Sequence, residues 1–343
     1  MRFLPHLEPE GVSLKQKIDL KDRKILYHLS ENARMPASSI AKLTGLSRDS
    51  VLYRMKKLEE KKIINCTRTL VDVSKLGYEN FHLFVTLNNP EKHIEDKIVK
   101  ELSGHESVRV ILKFHGSYDF EIGFIAKDLH ECDKIMQDLV NIMGSNLRYH
   151  DLFIITKTLR AGAFPNSFFD KSNIKRELRK NQFSKEISKL DKKDLDLLNS
   201  LREDARVPLI DIAKKLKISP DSVSYRLRAL EKSGVIISYS PVINYSALGY
   251  RVHALMFSIK QFNSDRENMI KRFMESNPHV LWAVKTLGRY DVLLYLCTES
   301  EEDFHSFISE LRKLFPEQLL RYDSLHAFAE YKYLYAPDVI FKN

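Results

Sequence analysis

Cysteine is scarce in this chain of 343 residues, and its scarcity excludes several classes of protein. The three cysteines, Cys66, Cys132 and Cys297, lie far apart, and no two of them form a CxxC pair. Disulfide frameworks and zinc knuckles need larger or more closely spaced sets of cysteines, so neither is predicted. We expect no bound metal and no cofactor, and three free thiols fit a reducing compartment.

Long apolar runs are also missing. No stretch approaches the ~20 apolar residues that a membrane-spanning helix needs. The first residues, MRFLPHLEPEGVSL, carry prolines and acids where a signal peptide has an apolar core. We therefore expect a soluble, cytoplasmic protein with no membrane partner.

Sequence signatures of common enzymes are missing as well. The chain contains no P-loop, no GxGxxG and no nucleophile elbow. The sequence therefore predicts no catalytic residue. What is present is a 43% hydrophobic content, enough for real cores, and a formal charge of +9, for which nucleic acid is the first candidate partner.

The whole chain is an internal duplication with a constant separation of 172 residues, as between Asp19 and Asp191. About 21 of the 47 positions from 18 to 64 are identical to their partners. Because the separation never changes, the two units should share one architecture with little net insertion. Their histidines and cysteines do not coincide at this separation, which argues against a repeated metal site.

Each unit opens with a helix-turn-helix pattern. The first unit predicts helices over residues 19–30, 36–44 and 47–58, with a tight turn before the last. Ser47 and Ser219 stand where the N-cap of the last helix belongs. Val51, Met55 and Leu58 recur at i, i+4 and i+7 and form one apolar stripe that faces a core.

The opposite face of this last helix is basic and carries a central tyrosine, which suits a helix that enters a DNA major groove. Its arginines and lysines are predicted to contact phosphates, and its aspartate, serine and tyrosine to reach base edges. An ordinary amphipathic surface helix is the alternative. The predicted DNA-binding residues are Ser47, Arg48, Asp49, Ser50, Tyr53, Arg54, Lys56 and Lys57 in the first unit and Asp221, Ser222, Tyr225, Arg226 and Arg228 in the second.

A strand-rich tail follows each head. Its order of strands and helices is βαββαβ, which predicts an α+β fold with a ferredoxin-like tail in each unit. The central strands are apolar on both faces, as in residues 292–296. The sheet face without helices should therefore pack on another sheet, either in an oligomer or between the two repeats.

These patterns predict seven segments. They are an N-terminal extension (1–17), the first head (18–64), the first tail (65–159), a linker (160–189), the second head (190–236), the second tail (237–336) and a short C-terminal segment (337–343). The linker carries Lys171, Lys175, Arg176, Arg179, Lys180 and Lys185. A solvated linker is favoured over a phosphate-binding arm.

The ordered motifs of both units resemble the Lrp/AsnC family of transcriptional regulators. They are Asp-x-x-Asp in the first helix, Asn/Asp-Ala-Arg before the second, Ser-x-x-Ser-Val-x-Tyr-Arg in the third, then Leu-Gly-Tyr and Gly-x-Tyr-Asp. The resemblance implies DNA-binding heads and tails of the RAM type, which oligomerise through their sheets and often bind an amino acid. The tandem fusion departs from the family pattern.

The Gly-x-Tyr-Asp turns are the predicted effector site. The residues are Gly116, Tyr118, Asp119, Gly288, Tyr290 and Asp291. Aspartate at this turn either caps the backbone or accepts the ammonium group of a ligand, and both readings stay open.

Two other functions also stay open. One is a sirohaem decarboxylase-like enzyme of the same architecture, although His115 has no counterpart in the second unit. The other is a ligand-sensing assembly module whose heads do not bind DNA. The partners that we expect are double-stranded DNA, a small effector and further copies of the chain, or an intrachain pseudo-dimer that assembles further.

Overall fold

The computed structural model describes residues 6–7, 15–170 and 187–342. The basic run of the predicted linker lies outside these ranges. The fold is α+β, with two helical heads, a two-stranded ribbon between them, and two ferredoxin-like tails.

The first head consists of α1 (Leu20–Glu31), α2 (Ala37–Thr44) and α3 (Arg48–Glu60). The second consists of α7 (Lys192–Leu201), α8 (Leu209–Leu216) and α9 (Pro220–Lys232). Asp19 and Asp191 each begin a head with a capping box, in which the side chains at N-cap and N3 accept each other's backbone N–H. Gly45, in the left-handed conformation at φ +68°, ends α2 and turns the chain into α3.

Each head continues into a strand that joins it to the other head. Strand β1 (Ile64–Val71) pairs antiparallel with β6 (Ile236–Ile243) and forms the ribbon. The ribbon also receives the loops after α1 and α7, since Ala33 N donates to Tyr239 O and Ala205 N donates to Thr67 O. The ribbon therefore fixes the position of one head against the other.

The first tail contains β2 (Glu79–Leu87), α4 (Lys92–Gly104), β3 (Val108–His115), β4 (Phe120–Ala126), α5 (Leu129–Met143) and β5 (Leu147–Ala161). A short helix, α6 (Ser167–Asp170), follows it. The second tail contains β7 (Arg251–Ile259), α10 (Ser264–Ser276), β8 (Val280–Leu287), β9 (Val292–Thr298), α11 (Glu301–Leu314) and β10 (Leu319–Tyr333). Strand β5 runs two residues past residue 159, where the first tail was expected to end, and α6 lies within the predicted linker.

The eight tail strands form one closed antiparallel sheet. Its order is β10-β3-β4-β2-β5-β8-β9-β7, and β7 returns to pair with β10. Two seams join the tails. In one, Ile154 of β5 faces Leu287 of β8, and in the other His326 of β10 faces His115 of β3. These pairs are equivalent at the 172-residue separation, so a pseudo-two-fold axis relates the tails.

The sheet has a core on each side. Aromatic and aliphatic side chains that include Phe84, Phe153 and Leu325 fill the space that it encloses. Helices α4 and α5 cover the outer face of one tail, and α10 and α11 cover the other. The expectation that the face without helices packs on another sheet is met within one chain, by the two repeats themselves.

Two charged residues bridge the tails in equivalent ways. Arg160 of β5 donates to Val280 O and Glu275 O, at the end of α10. Lys332 of β10 donates to Ser103 O and His105 O, at the end of α4. Each cation thus caps a helix C-terminus of the opposite tail, where the helix dipole favours positive charge.

Candidate nucleic-acid interface

Helices α3 and α9 each bury one stripe of side chains and expose the opposite face. Val51, Met55 and Leu58 are at most 7% exposed. Ser47 accepts a hydrogen bond from Ser50 N at 3.1 Å, and Ser219 accepts one from Ser222 N at 3.1 Å. The predicted N-caps and buried stripes are therefore present in both heads.

Most of the predicted DNA-binding side chains lie on the exposed face. Tyr53 and Tyr225 are 59% and 75% exposed, although tyrosine is a large, partly apolar residue. The remaining exposed members of the set are Ser47, Arg48, Asp49, Lys56, Lys57, Asp221 and Arg228, while Ser50 and Ser222 are half-buried. An exposed tyrosine among cations is typical of a surface that binds a partner.

The lysines of α3 are placed to meet an anion. The Lys56 side chain is 76% exposed, and its nearest recorded acidic atom is Glu60 Oε1 at 3.9 Å. Lys57 Nζ lies 4.8 Å from the centre of the Tyr53 ring. The contact with Tyr53 raises the pKa of the Lys57 amine, so this group stays cationic at neutral pH.

Arg54 and Arg226 are placed differently from the other predicted DNA-binding residues, because each forms ion pairs within its own head. Arg54 Nη1 lies 2.8 Å from Asp19 Oδ2 and 2.7 Å from Asp22 Oδ1, and the side chain is only 24% exposed. These hydrogen bonds raise the pKa of the guanidinium. Arg226 repeats the arrangement with Asp191 and Asp194. The two carboxylates offset the positive charge of each guanidinium, and the contacts tie α3 or α9 to the start of the first helix of the head.

A repeated pattern in the sequence indicates this ion pair. Both partners recur at the 172-residue separation, and in each unit the aspartate N-cap precedes the arginine by 35 residues. Identical residues of opposite charge in both repeats indicate a structural ion pair as readily as a DNA contact.

The Ala-Arg motifs after α1 and α7 hold the two heads together. Arg34 donates to the carbonyl of Ala205, and Arg206 Nη1 donates to Ala33 O at 2.6 Å. The exchange is reciprocal across the ribbon. These residues were noted in the sequence only as motif positions, and their role depends on a contact between the units.

The aspartates and tyrosines of the predicted effector site form hydrogen bonds within the protein. Asp119 Oδ2 accepts Leu87 N at 2.7 Å, and Asp291 Oδ2 accepts Ile259 N at 2.8 Å. Tyr118 and Tyr290 are each 2% exposed, and their hydroxyls donate to Asp151 and Asp323. The aspartates thus cap backbone groups, which was one of the two readings.

The glycines of these turns meet the opposite tail. A Cβ on Gly288, at φ +147°, would lie 2.7 Å from Leu152 O, and one on Gly116, at φ +149°, would lie 2.6 Å from Leu325 Cδ2. Glycine is needed for the backbone conformation and for the close approach. Two cavities, of about 510 Å³ and 420 Å³, lie elsewhere, beside α9 and after α11.

Family models match both heads. An AsnC-type helix-turn-helix domain matches residues 18–59, and a winged helix-turn-helix DNA-binding model matches residues 190–237. A helix-turn-helix-type transcriptional regulator of Pyrococcus furiosus is 33% identical over 126 residues, which cover 37% of this chain and 82% of that protein. The chain belongs to the Lrp/AsnC family.

Other members of the Lrp/AsnC family match one unit in the same way. Regulatory protein AsnC of Haemophilus influenzae is 30% identical over 128 residues, covering 37% of this chain and 85% of that protein. The transcriptional regulator LrpC of Bacillus subtilis is 30% identical over 122 residues, covering 36% and 83%. Each relative is thus about one repeat long, and each repeat is a winged helix-turn-helix head with a RAM tail.

A solved structure matches both units together. The siroheme decarboxylase NirDL superposes with a TM-score of 0.62 over 91% of this chain and 92% of its own, at 13% identity. At that identity the match shows a shared fold alone.

Within the described residues, no group of three histidine, cysteine or acidic side chains is arranged to hold a metal ion. No helix in the same ranges is long and apolar enough to cross a bilayer.

Proposed function

We propose that this member of the Lrp/AsnC family is a sequence-specific DNA-binding transcriptional regulator that presents two recognition helices from one chain. The observation that carries the proposal is the repeated exposed face of α3 and α9, with tyrosine and cations above a buried stripe. The relatives named as transcriptional regulators support it.

The contacts divide into two kinds. Lys56, Lys57, Arg48 and Arg228 supply charge to phosphates and set the register of the protein on DNA. Asp49, Ser50 and Tyr53 of α3 reach base edges, as do Asp221, Ser222 and Tyr225 of α9. Arg54 and Arg226 are not part of this set, because their guanidinium groups are occupied within the heads.

The two recognition helices read unequal half-sites. Leu52 of α3 corresponds to Ser224 of α9, and Lys57 corresponds to Ala229. Because both helices belong to one chain, every molecule carries one of each. The preferred operator is therefore an imperfect palindrome, and making it perfect by replacing either half with a copy of the other lowers the affinity.

An effector of the amino-acid class acts at the tails. The Gly-x-Tyr-Asp turns lie at the seams, where a ligand contacts both tails and biases the position of the heads. Asp119 and Asp291 accept backbone N–H groups, and the neighbouring Asp151 accepts Tyr118, Tyr149 and Arg289, so the ammonium group of a ligand replaces one of these donors. Further assembly of the chain and a cytoplasmic location belong to the same proposal.

The test is binding to a labelled DNA fragment from upstream of the protein's own gene, across a salt series and with competitor DNA. Specific binding with a steep salt dependence is expected. Each phosphate contact removed by Lys56→Ala or Arg228→Ala should lower the salt slope by about 1. Gln137→Ala, on a helix of the tail, is the matched control.

Two outcomes would contradict the proposal. One is binding that does not discriminate the promoter fragment from competitor DNA over a footprinted panel of genomic fragments. The other is a purified protein that arrives coloured and binds a tetrapyrrole but not DNA, which would support the decarboxylase-like alternative.

A further inference from the structure

Glu121 is a carboxyl group with no exposed surface in the space enclosed by the closed sheet. Its Oε1 contacts His82 Nδ1, and its Oε2 accepts the hydroxyl of Tyr295. His82 and Glu121 belong to the first tail, whereas Tyr295 belongs to the second. Burying an acid is costly unless it is hydrogen-bonded, and here one of its partners comes from the other repeat.

An aromatic contact extends this group across the same boundary. Trp282 of the second tail stacks on the His82 ring at 5.8 Å and lies 5.6 Å from the Tyr295 ring. His82 and Tyr295 are 8% and 9% exposed. The four residues His82, Glu121, Trp282 and Tyr295 are hereafter the pairing cluster.

The pairing cluster breaks the internal symmetry of the chain. At the 172-residue separation, Glu121 corresponds to Leu293, His82 to Ala254, Tyr295 to Gly123 and Trp282 to Val110. Val110, Gly123 and His82 are neighbours across β3, β4 and β2, and Trp282, Tyr295 and Ala254 are neighbours across β8, β9 and β7. One tail therefore offers polar groups beside small residues, and the other offers two large aromatic rings.

The space beside Gly123 is tight for any side chain, whereas the other tail has tyrosine at the equivalent position. A Cβ on Gly123 would lie 3.0 Å from Val110 Cβ and 3.7 Å from His82 Cε1. Because both neighbours are side chains of the first tail, the narrowness is a property of that tail. The two tails are thus complementary in shape as well as in hydrogen bonding.

We propose that the pairing cluster makes the two tails of this chain selective for each other and against pairing with their own kind. In a pair of two first tails, each Glu121 would face Gly123, leaving a buried acid without its phenol donor and a void where Tyr295 packs. In a pair of two second tails, each Tyr295 would face Leu293, and its hydroxyl would have no acceptor. Either like pair leaves buried polar groups unpaired, which is costly.

The partner that each tail selects is a tail of the opposite kind. This selectivity does not depend on DNA binding. The two reciprocal cation bridges do not carry it. Arg160 and Lys332 cap helices reciprocally, so a symmetric pair would retain equivalent contacts.

The test uses the full chain with a protease site placed between Asp170 and Ile187, cut after folding so that both halves remain in one complex. The cut protein is unfolded in urea, refolded, and its non-covalent pairs are identified by mass in native mass spectrometry. Cutting removes the high effective concentration that the linker imposes on the two halves. Wild type should return only unlike pairs, in which one first half is bound to one second half. A like pair contains two first halves or two second halves.

The variant Glu121→Leu/Tyr295→Phe should lose this selectivity and return like pairs, approaching random assortment, in which unlike pairs make up half of the total. The matched control, Arg160→Ala/Lys332→Ala, should be less stable yet return unlike pairs only. Like pairs at the random level in wild type would overturn the proposal, and so would a refolded cluster variant that still returns only unlike pairs.

If the double variant does not refold, a second measurement tests the contact between Glu121 and Tyr295. In the uncut chain, the urea midpoints of Glu121→Gln, Tyr295→Phe and their combination form a double-mutant cycle. The proposal expects the second change to shift the midpoint less when the first is already present. Additive shifts would show that the two groups do not act on each other and would overturn it.

Discussion

At the scale of single residues, the cations near the recognition helices divide by what they already contact. Arg54 holds two aspartates of α1 within 2.8 Å, whereas the side chain of Lys56 is 76% exposed. The two residues are separated by two positions in sequence and have the same formal charge. Only their contacts distinguish a residue that stabilises the head from one that is free to meet a phosphate.

Arg54→Ala should destabilise the first head without lowering the salt slope of DNA binding. Partly exposed ion pairs contribute little each, so a loss of about 1 kcal/mol in the free energy of unfolding is expected. Lys56→Ala should do the reverse, lowering the salt slope by about 1 with stability unchanged. Urea unfolding and a binding salt series on the two variants check this pair of outcomes, and equal effects on both quantities would contradict the assignment.

His253 should make stability sensitive to acid. It is 8% exposed, its ring lies 4.5 Å from Phe304, and among the described residues its Nε2 has no hydrogen-bond partner. Burial, with the nearby charges of His326 and Arg251, lowers its pKa from 6.5 to about 4, and Glu301 opposes this. Between these values the unfolded chain binds a proton that the folded chain does not, so stability falls as pH falls through this window.

The full effect of this histidine is about 3 kcal/mol, at 1.36 kcal/mol per unit of pKa. His253→Phe removes it, and phenylalanine is suited because Phe81 occupies the equivalent position of the first tail. Unfolding measured from pH 7 to pH 4 should show a shallower loss of stability in this variant than in wild type. Parallel pH profiles of stability in wild type and His253→Phe would contradict the assignment of this acid sensitivity to His253.

At the scale of elements, the turns between β3 and β4 and between β8 and β9 are points of close approach between the tails. Both contain a glycine at φ near +150°, where other residues are strained. The neighbours differ: a Cβ on Gly288 would meet the backbone oxygen of Leu152, whereas one on Gly116 would meet the end of the Leu325 side chain. A side-chain terminus can move aside more easily than a strand backbone.

Gly288→Ala should therefore be more destabilising than Gly116→Ala. We expect losses of about 3 kcal/mol and about 1 to 2 kcal/mol, in the range of backbone strain with and without a rigid clash. Thermal and urea unfolding of the two variants give the comparison. Equal losses would mean that backbone strain alone, and not the contact with the other tail, sets the effect.

At the scale of the whole molecule, both seams of the closed sheet are formed within one chain. Strand β5 pairs with β8 and strand β10 pairs with β3, so neither tail has a free edge at these strands. The single-unit relatives carry one tail each, and in this chain the linker makes pairing a unimolecular event. The heads are joined by the ribbon in the same chain.

Unfolding of the closed sheet should consequently not depend on protein concentration. Trp282 is the only tryptophan and lies in the pairing cluster, so its fluorescence reports on the contact between the tails. The urea midpoint should be constant from about 1 µM to about 100 µM, because no dissociation accompanies unfolding of an intrachain pair. A midpoint that rises with concentration would indicate that unfolding separates chains, either because the tails pair between chains or because intact chains assemble further.

Most of the fold was predictable, because it depends on local patterns that occur twice. The capping residue Ser47, the apolar stripe ending at Leu58 and the βαββαβ order are all visible in the sequence and are present in the structure. Of the candidate DNA interface, the exposed residues follow from helical periodicity. Arg54 and Arg226 do not, since a side chain that faces outward on an isolated helix lies against another helix in the packed head.

By itself, the sequence determined that this protein is a duplicated helix-turn-helix and ferredoxin-like chain, because capping and apolar periodicity act over short distances and recur in both repeats. Its ordered motifs carried the resemblance to the Lrp/AsnC family. Only the tertiary structure decided that the tails close into one sheet, that Arg34 and Arg206 exchange contacts between the heads, and that Glu121 is bonded to Tyr295 across 174 residues. Those contacts join residues far apart in the chain. They exist only when both repeats have folded and packed, so no local pattern encodes them.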